Sequence, residues 1–159
     1  MVYIDMDGVV VDFKQYVIDI RGFYDTDKVF WELLSQKDNP YYRMKYIDGA
    51  YEFIEEINSM SKRYIGFTPQ FLTSLPIIKG NLTTAHRDKV EWVHDNIGKE
   101  YQVNVVSNWR DKKNFIFKPW DILIDDSDRN CNDWIEAGGQ AILHTSFEDT
   151  LKKLEFIIW

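Results

Sequence analysis

Cysteine is almost missing from this chain: Cys131 is the single one among 159 residues. A lone thiol closes no internal disulfide, which fits a reducing compartment. Long apolar runs are missing as well. No stretch approaches the roughly eighteen residues of a membrane span, and no signal-peptide pattern is present. A soluble, cytoplasmic protein with no membrane partner is therefore expected. Positive charge is in short supply, with 19 Lys and Arg against 26 Asp and Glu and a formal net charge of -7. That balance disfavours broad, backbone-driven binding to DNA or RNA. It leaves room for a local basic spot that takes a small anion. There is no internal repeat, no low-complexity tract and no glycine-rich phosphate loop.

What is present is apolar residues at 45% and aromatics at 16%, enough for a real core in one globular domain spanning 1–159. The informative stretch is the first thirteen residues. Val2, Tyr3 and Ile4 are β-formers, Asp5 and Asp7 follow, and Gly8 allows a sharp turn and a close backbone approach. Side chains two apart on an extended chain point the same way, so the two carboxylates are expected side by side. Their repulsion would be relieved by a divalent cation, and hard oxygen ligands suit Mg²⁺.

After this strand the period turns helical. Phe13, Tyr16, Val17 and Ile20 predict one helix ended by Gly22, and Asp27 to about Leu34 predicts a second. With Tyr41, Tyr42, Met44 and Tyr46 behind them, residues 14 to 46 read as a small aromatic insert. A third helix is expected from Asp48 as N-cap, with Ala50, Phe53, Ile54, Ile57 and Met60 inward. Gln70–Ser74 reads as a strand and 77 to 83 as a loop. Thr83 or Thr84 then caps a helix to about Ile97 with Val90, Val93 and Ile97 inward. Lys89 lies mid-helix, where a solvated face is the default. Val103–Val106 reads as a strand, 109–113 as a polar solvated loop, and 121–126 as a strand ending in Asp125 and Asp126. Adjacent strand residues face opposite ways, so one of that pair is expected to point at a metal. A helix from about Arg129 to Ala137 with Cys131, Trp134 and Ile135 inward, a strand at 140–143 and a helix from Phe147 to about Phe156 complete the chain. His144 reads as structural.

Alternating strands and helices predict an α/β fold with a mainly parallel sheet, three-layered and Rossmann-like. Ligands of such sheets collect at the carboxyl ends of strands. Asp5, Asp7, Thr73, Ser74, Asp125 and Asp126 all fall at predicted strand ends, with Lys112 and Lys113 just after one. Carboxylates, a metal, hydroxyls and a lysine together make a phosphate site.

These residues resemble the haloacid dehalogenase superfamily. Asp5-Met-Asp7-Gly8 is similar to its first motif, Leu72-Thr73-Ser74 to the second, Arg110-Asp111-Lys112 to the third and Leu123-Ile124-Asp125-Asp126 to the fourth. Within the superfamily, Asp7-Gly-Val-Val-Val-Asp-Phe13 and Lys89-Val-Glu-Trp-Val93 look most like the 5′(3′)-deoxyribonucleotidases. Two departures stand out. Leu75 separates Thr73-Ser74 from Pro76, where that subfamily has Thr-Ser-Pro. The stretch from Lys112 to Asp125 is about two residues longer than the family pattern, so Lys112 and Lys113 compete for one role. Lys112 is preferred because it directly follows Arg110-Asp111.

The resemblance implies a Mg²⁺-dependent phosphomonoesterase with a helical cap insert at about 14–46. Asp5 would be the nucleophile, Asp7 the acid and base, and Thr73, Ser74 and Lys112 the phosphate holders. The metal would rest on the Asp5 carboxylate, the Asp7 backbone carbonyl and Asp126, with Asp125 close behind. Phe13, Trp31, Lys89 and Lys113 would bind substrate, with Tyr41 or Tyr42 as a further stacking ring. The implied substrate is a small phosphomonoester, foremost a deoxynucleoside monophosphate, and a homodimer is compatible with this reading. A polynucleotide 3′-phosphatase shares the four motifs but would call for a basic stripe. A phospho-accepting signalling domain, which binds without turnover, would place its acidic pair and acceptor differently.

Overall fold

The computed structural model describes residues 1–76 and 82–159; of the loop expected at 77 to 83, positions 77–81 lie outside the described residues. Five strands, β1 (Val2–Ile4), β2 (Gln70–Ser74), β3 (Val103–Val106), β4 (Ile122–Asp125) and β5 (Gln140–Leu143), form one sheet in the order β3-β2-β1-β4-β5. Every pairing is parallel, and β1 lies in the middle. The fold is α/β and Rossmann-like.

Each central strand is apolar at successive positions because it is covered on both faces. On one face Val2, Ile4, Phe71, Ile122, Ile124 and Ile142 join the large core. There they meet Phe53, Ile54 and Ile57 of α3 (Ala50–Tyr64), Trp92 and Val93 of α4 (Ala85–Asn96) and Leu154 of α6 (Phe147–Ile158). On the other, Tyr3, Leu72, Val106 and Leu123 pack with Trp134 of α5 (Asp128–Glu136). The two-residue alternation along β1, β2 and β4 thus divides one sheet between two cores. Truncating a wholly buried residue such as Ile4 to Ala is expected to cost about 2–5 kcal/mol.

Between β1 and α3 run α1 (Phe13–Arg21) and α2 (Lys28–Ser35), started by Asp12 and Asp27, whose side chains accept from the backbone N–H of Gln15 and Phe30. The chain enters and leaves this segment at one neck. Val11 bridges Tyr46 in antiparallel fashion, Asp12 N–H donates to the Lys45 carbonyl, and Ile47 N–H donates to the Val10 carbonyl. A short neck of this kind lets the segment sit over the sheet without interrupting it.

Several local expectations need correction. The residue before α3 is Gly49 at φ 88°, not Asp48, because the chain turns out of the neck through a left-handed conformation that glycine tolerates. Thr84 precedes α4 but its hydroxyl donates to Asp88 Oδ2 at 3.0 Å instead of accepting from the backbone. The inner face of α4 is Ala85, Asp88, Lys89, Trp92 and Val93, with Val90 half-buried, so Lys89 is in the interior and not on a solvated face. Residues 109–113 belong to a 3-10 helix, Trp109–Phe115, whose Lys112 is buried. Ile135 is 52% exposed; α5 lies on one face of the sheet over β4 and β5, and a narrow stripe through Cys131 and Trp134 suffices to seal it.

Candidate active site

The carboxyl end of β1 carries the candidate groups Asp5 and Asp7. Asp5 N–H donates to the Ile124 carbonyl at 2.9 Å, so Asp5 is held by the same ladder that holds the strand. The chain then wraps around the Met6 carbonyl, which accepts from the N–H groups of Val9, Val10 and Val11. Gly8 sits in that wrap at φ 81°, and a Cβ there would stand 2.1 Å from Asp126 Oδ2. The glycine therefore serves two purposes, the turn and the close approach of Asp126.

Asp5 and Asp7 line one cleft, but they stand beyond the strand and not on it. The strand ends at Ile4, and each carboxylate faces its own buried lysine. Lys112 Nζ is 2.6 Å from Asp125 Oδ2 and 2.9 Å from Asp5 Oδ1. The approach to Asp5 lies off the direction of a hydrogen bond, so Asp5 Oδ1 is ion-paired yet has no donor aimed at it. Lys89 Nζ donates to Asp7 Oδ2 at 2.7 Å and to the Thr73 hydroxyl at 3.0 Å, and stands 4.7 Å from the Tyr41 ring centroid. Burial works to lower the Lys112 pKa, but the Asp5 and Asp125 charges outweigh it and raise it. An ammonium survives in the interior because it is paired.

Asp125 is fully enclosed and its carboxylate is saturated. Lys112 and the Asn130 side chain donate to Oδ2; Ser127 N–H at 2.9 Å and the same Asn130 amide at 3.0 Å donate to Oδ1. Burial and the Asp5 charge push its carboxyl above the ordinary range, against the pull of Lys112. Asp126 is reached by solvent, and burial of its carboxyl with the charges of Asp5, Asp125 and Asp7 pushes it up to about 7.

Carboxylate oxygens of Asp5, Asp125 and Asp126 lie within 4.8 Å of one another, a cluster that could hold a metal. β4 ends at Asp125 and Asp126 lies in the turn beyond it, so both carboxylates reach the cluster, Asp125 engaged by Lys112, Asn130 and Ser127 and Asp126 open to solvent. Around the cluster itself the four carboxylates Asp5, Asp7, Asp125 and Asp126 outnumber the buried ammoniums of Lys89 and Lys112, an imbalance that a cation would reduce. Asp7 Oδ1 is buried with no hydrogen-bond partner, and Asp5 Oδ1 is ion-paired to Lys112 without one, which points to the same need.

A cleft of about 960 Å³ opens above these groups. Asp5, Asp7, Ser74 and Asp126 line its floor, and Phe13, Tyr24, Trp31 and Tyr41 its aromatic wall. Thr73 and Lys112 are buried beneath. Phe13 meets Trp31 at 6.4 Å between centroids, while Trp31 Nε1 donates to the Thr26 carbonyl. The structure does not bring two of the named residues here. Lys113 is exposed and outside the cleft lining, because on the 3-10 helix the next residue points away from the sheet. Tyr42 instead donates to Asp95 Oδ2 at 3.0 Å. His144 contacts the Thr150 hydroxyl at 2.8 Å through Nδ1, a packing role. Asn130, Ser127, Trp109 and Arg129 were missed from sequence. Ser127 and Asn130 stand three apart at the start of α5, a capping signal that could have placed that turn against Asp125.

No family model matches the chain, and no curated protein is similar to it. Among solved structures it is similar to the crystal structure of a hydrolase from Streptococcus pneumoniae TIGR4, at 14% identity and a TM-score of 0.53, over 97% of each chain. At that identity the likeness is one of fold, and it runs through the whole Rossmann-like unit.

Proposed function

We propose that this protein is a Mg²⁺-dependent phosphomonoesterase that acts on small substrates, foremost deoxynucleoside monophosphates, through an aspartyl phosphate. The observation that carries the reading is Asp5 at the floor of an aromatic-walled cleft, held against Lys112, which is itself locked by a saturated Asp125. The fold likeness to a protein described as a hydrolase agrees with it, as does the resemblance of the four motifs to the haloacid dehalogenase superfamily.

In this mechanism an Asp5 carboxylate oxygen attacks phosphorus in line with the departing ester oxygen. Lys112 offsets charge on the phosphoryl oxygens, and Thr73 and Ser74 hold them. Lys89 lies between Asp7 and Thr73, where an entering phosphate offers it a second anion. As the phosphate draws Lys89 off it, Asp7 takes up a proton from solvent, hands that proton to the leaving oxygen, and later takes one from the water that opens the aspartyl phosphate. Mg²⁺, held by Asp5 and Asp126, would add neutralising charge at the phosphoryl group. With every Asp125 oxygen already accepting two donors, that residue works as the anchor of Lys112, and Asp126 is the better ligand. Phe13, Trp31 and Tyr41 stack on the base and exclude water.

The test is phosphate release from deoxy- and ribonucleotides, sugar phosphates and a 3′-phosphorylated oligonucleotide, with Mg²⁺ and with excess chelator. Release from mononucleotides that stops on chelation is expected. Because a protonated Asp126 does not ligate, half-saturating Mg²⁺ should rise as pH falls below about 7. Full turnover in chelator, or a clear preference for the oligonucleotide, would overturn the reading.

A further inference from the structure

The wall opposite the insert carries a group that the mechanism does not use. Arg129, in the first turn of α5, lines the cleft with its guanidinium 3.8 Å from the ring centroid of Trp109, another lining residue. The Arg110 guanidinium stands 4.9 Å from the same ring. Three of the six arginines are spent on carboxylates, carbonyls or amides, Arg21 on Asp27, Arg43 on the Asp38 carbonyl and Arg87 on Asn39 and Glu91, whereas Arg63, Arg110 and Arg129 lie over aromatic rings, and of these three Arg129 lines the cleft. Among the described residues Arg129 has no carboxylate within ion-pair distance, although Asp126 and Asp128 closely precede it in sequence and the chain carries a formal charge of -7. A guanidinium held over an indole face is not consumed by it, and its N–H groups remain able to grip a phosphate with two bonds. Stacking restrains it in advance, so little rotamer freedom is left to lose on binding.

We propose that Arg129, positioned by Trp109, binds a second phosphate where the mononucleotide carries one, so that within the mononucleotide class a nucleoside 3′,5′-bisphosphate is taken better than the matching monophosphate. The inference rests on the phosphomonoesterase reading of the same cleft. The scissile phosphate has its own cations beneath the floor, Lys112 and Lys89, both buried. Arg129 is exposed and sits on the wall, where a second anion reaches it while the first rests against Asp5. A cleft of about 960 Å³ has room for both groups with the base against the aromatic side. Of the two guanidiniums beside this ring only Arg129 lines the cleft, and that fits a single extra phosphate better than a polynucleotide track, which needs a basic stripe.

The experiment compares kcat/KM for a deoxynucleoside 3′,5′-bisphosphate with the matching 3′- and 5′-monophosphates, in wild type, Arg129→Ala, Arg129→Lys and Trp109→Leu. Wild type should prefer the bisphosphate by about tenfold or more, the scale of one charge-assisted contact. The preference should shrink with added salt. Arg129→Ala should bring the ratio close to one, Arg129→Lys should restore part of it, and Trp109→Leu should raise KM for the bisphosphate more than it lowers kcat. Equal kcat/KM for bis- and monophosphates in wild type would overturn the proposal while leaving the phosphomonoesterase reading intact. A preference that survives Arg129→Ala, or a loss equal for all substrates in that variant, would also overturn it. Absence of turnover with every phosphate ester would instead reject the activity on which it rests.

Discussion

The two ends of the sheet treat charge in opposite ways. At the amino ends of the strands Asp121 is buried, but its partners close around it. The Met1 ammonium lies 2.6 Å away, and the backbone N–H groups of Phe117 and Lys118 each donate at 2.8 Å. Burial alone would raise its pKa; those donors outweigh it and the carboxyl is held below its ordinary value. A groove of about 560 Å³ near it is lined by Tyr3, Phe67, Phe115, Phe117 and Trp120 and gathers no carboxylate cluster. At the carboxyl ends, four carboxylates share two lysines, oxygens on Asp5 and Asp7 lack donors, and Asp126 is pushed up to about 7. A satisfied charge stabilises a fold, whereas an unsatisfied cluster waits for a ligand. The difference between the ends is thus one of completion, not of residue type.

The largest expected effect breaks the open end. Asp5→Asn keeps the volume and leaves Lys112 on Asp125, so the fold should survive while turnover falls by on the order of 10⁴-fold or more. Asp7→Asn should still bind metal and substrate and turn over slowly, with partial rescue by an activated aryl phosphate whose leaving group needs no proton. It also strips Lys89 of its counter-charge, so a lower Tm is expected for it and not for Asp5→Asn. Mass spectrometry of acid-quenched Asp7→Asn should find phosphate on Asp5. Near-normal activity in Asp5→Asn, or phosphate on another residue, would refute the assignment.

A middle effect separates the buried lysine from its exposed neighbour. Lys112→Met should lower kcat by about 10²-fold or more, the scale of one preorganised electrostatic contact. Lys113→Met should cost far less, since its side chain is exposed and outside the cleft. Steady-state kinetics on one mononucleotide decides the matter, and equal losses would mean that the 3-10 helix turns differently during catalysis.

The smallest effect sharpens the closed end. Asp121→Asn should cost about 1–3 kcal/mol of stability by leaving donors poorly matched, with kcat unchanged. Because its folded pKa is depressed, the Asp121 contribution is present above the unfolded value of 3.8 and is lost as pH falls through the folded value. Denaturant midpoints measured down the acid limb should therefore fall less steeply in Asp121→Asn than in wild type. Identical slopes would show that the closed end contributes nothing to acid stability.

Much of this protein is legible in its sequence because the signals are local. Val2-Tyr3-Ile4, Gln70–Ser74 and Ile122–Asp125 are short apolar runs ended by polar residues, and such runs make buried parallel strands. The carboxylates, Thr73 and Ser74 could be assigned to one rim because parallel strands align their carboxyl ends. What only the tertiary structure decided is which charge faces which. Lys89 reads as a solvated helix residue until α4 packs it against Asp7, 82 positions away, and residues 109–113 read as a polar loop until a 3-10 turn buries Lys112. Helical and turn residues turn in or out by single steps of the backbone, so one residue decides between Lys112 and Lys113. Asp125 and Asp126 likewise depended on where β4 stops, and the Trp109–Arg129 stack depended on two segments meeting across the rim. Pattern records what a stretch of chain prefers on its own; the pairing of a buried charge is settled by its partner, and the partner is distant in sequence.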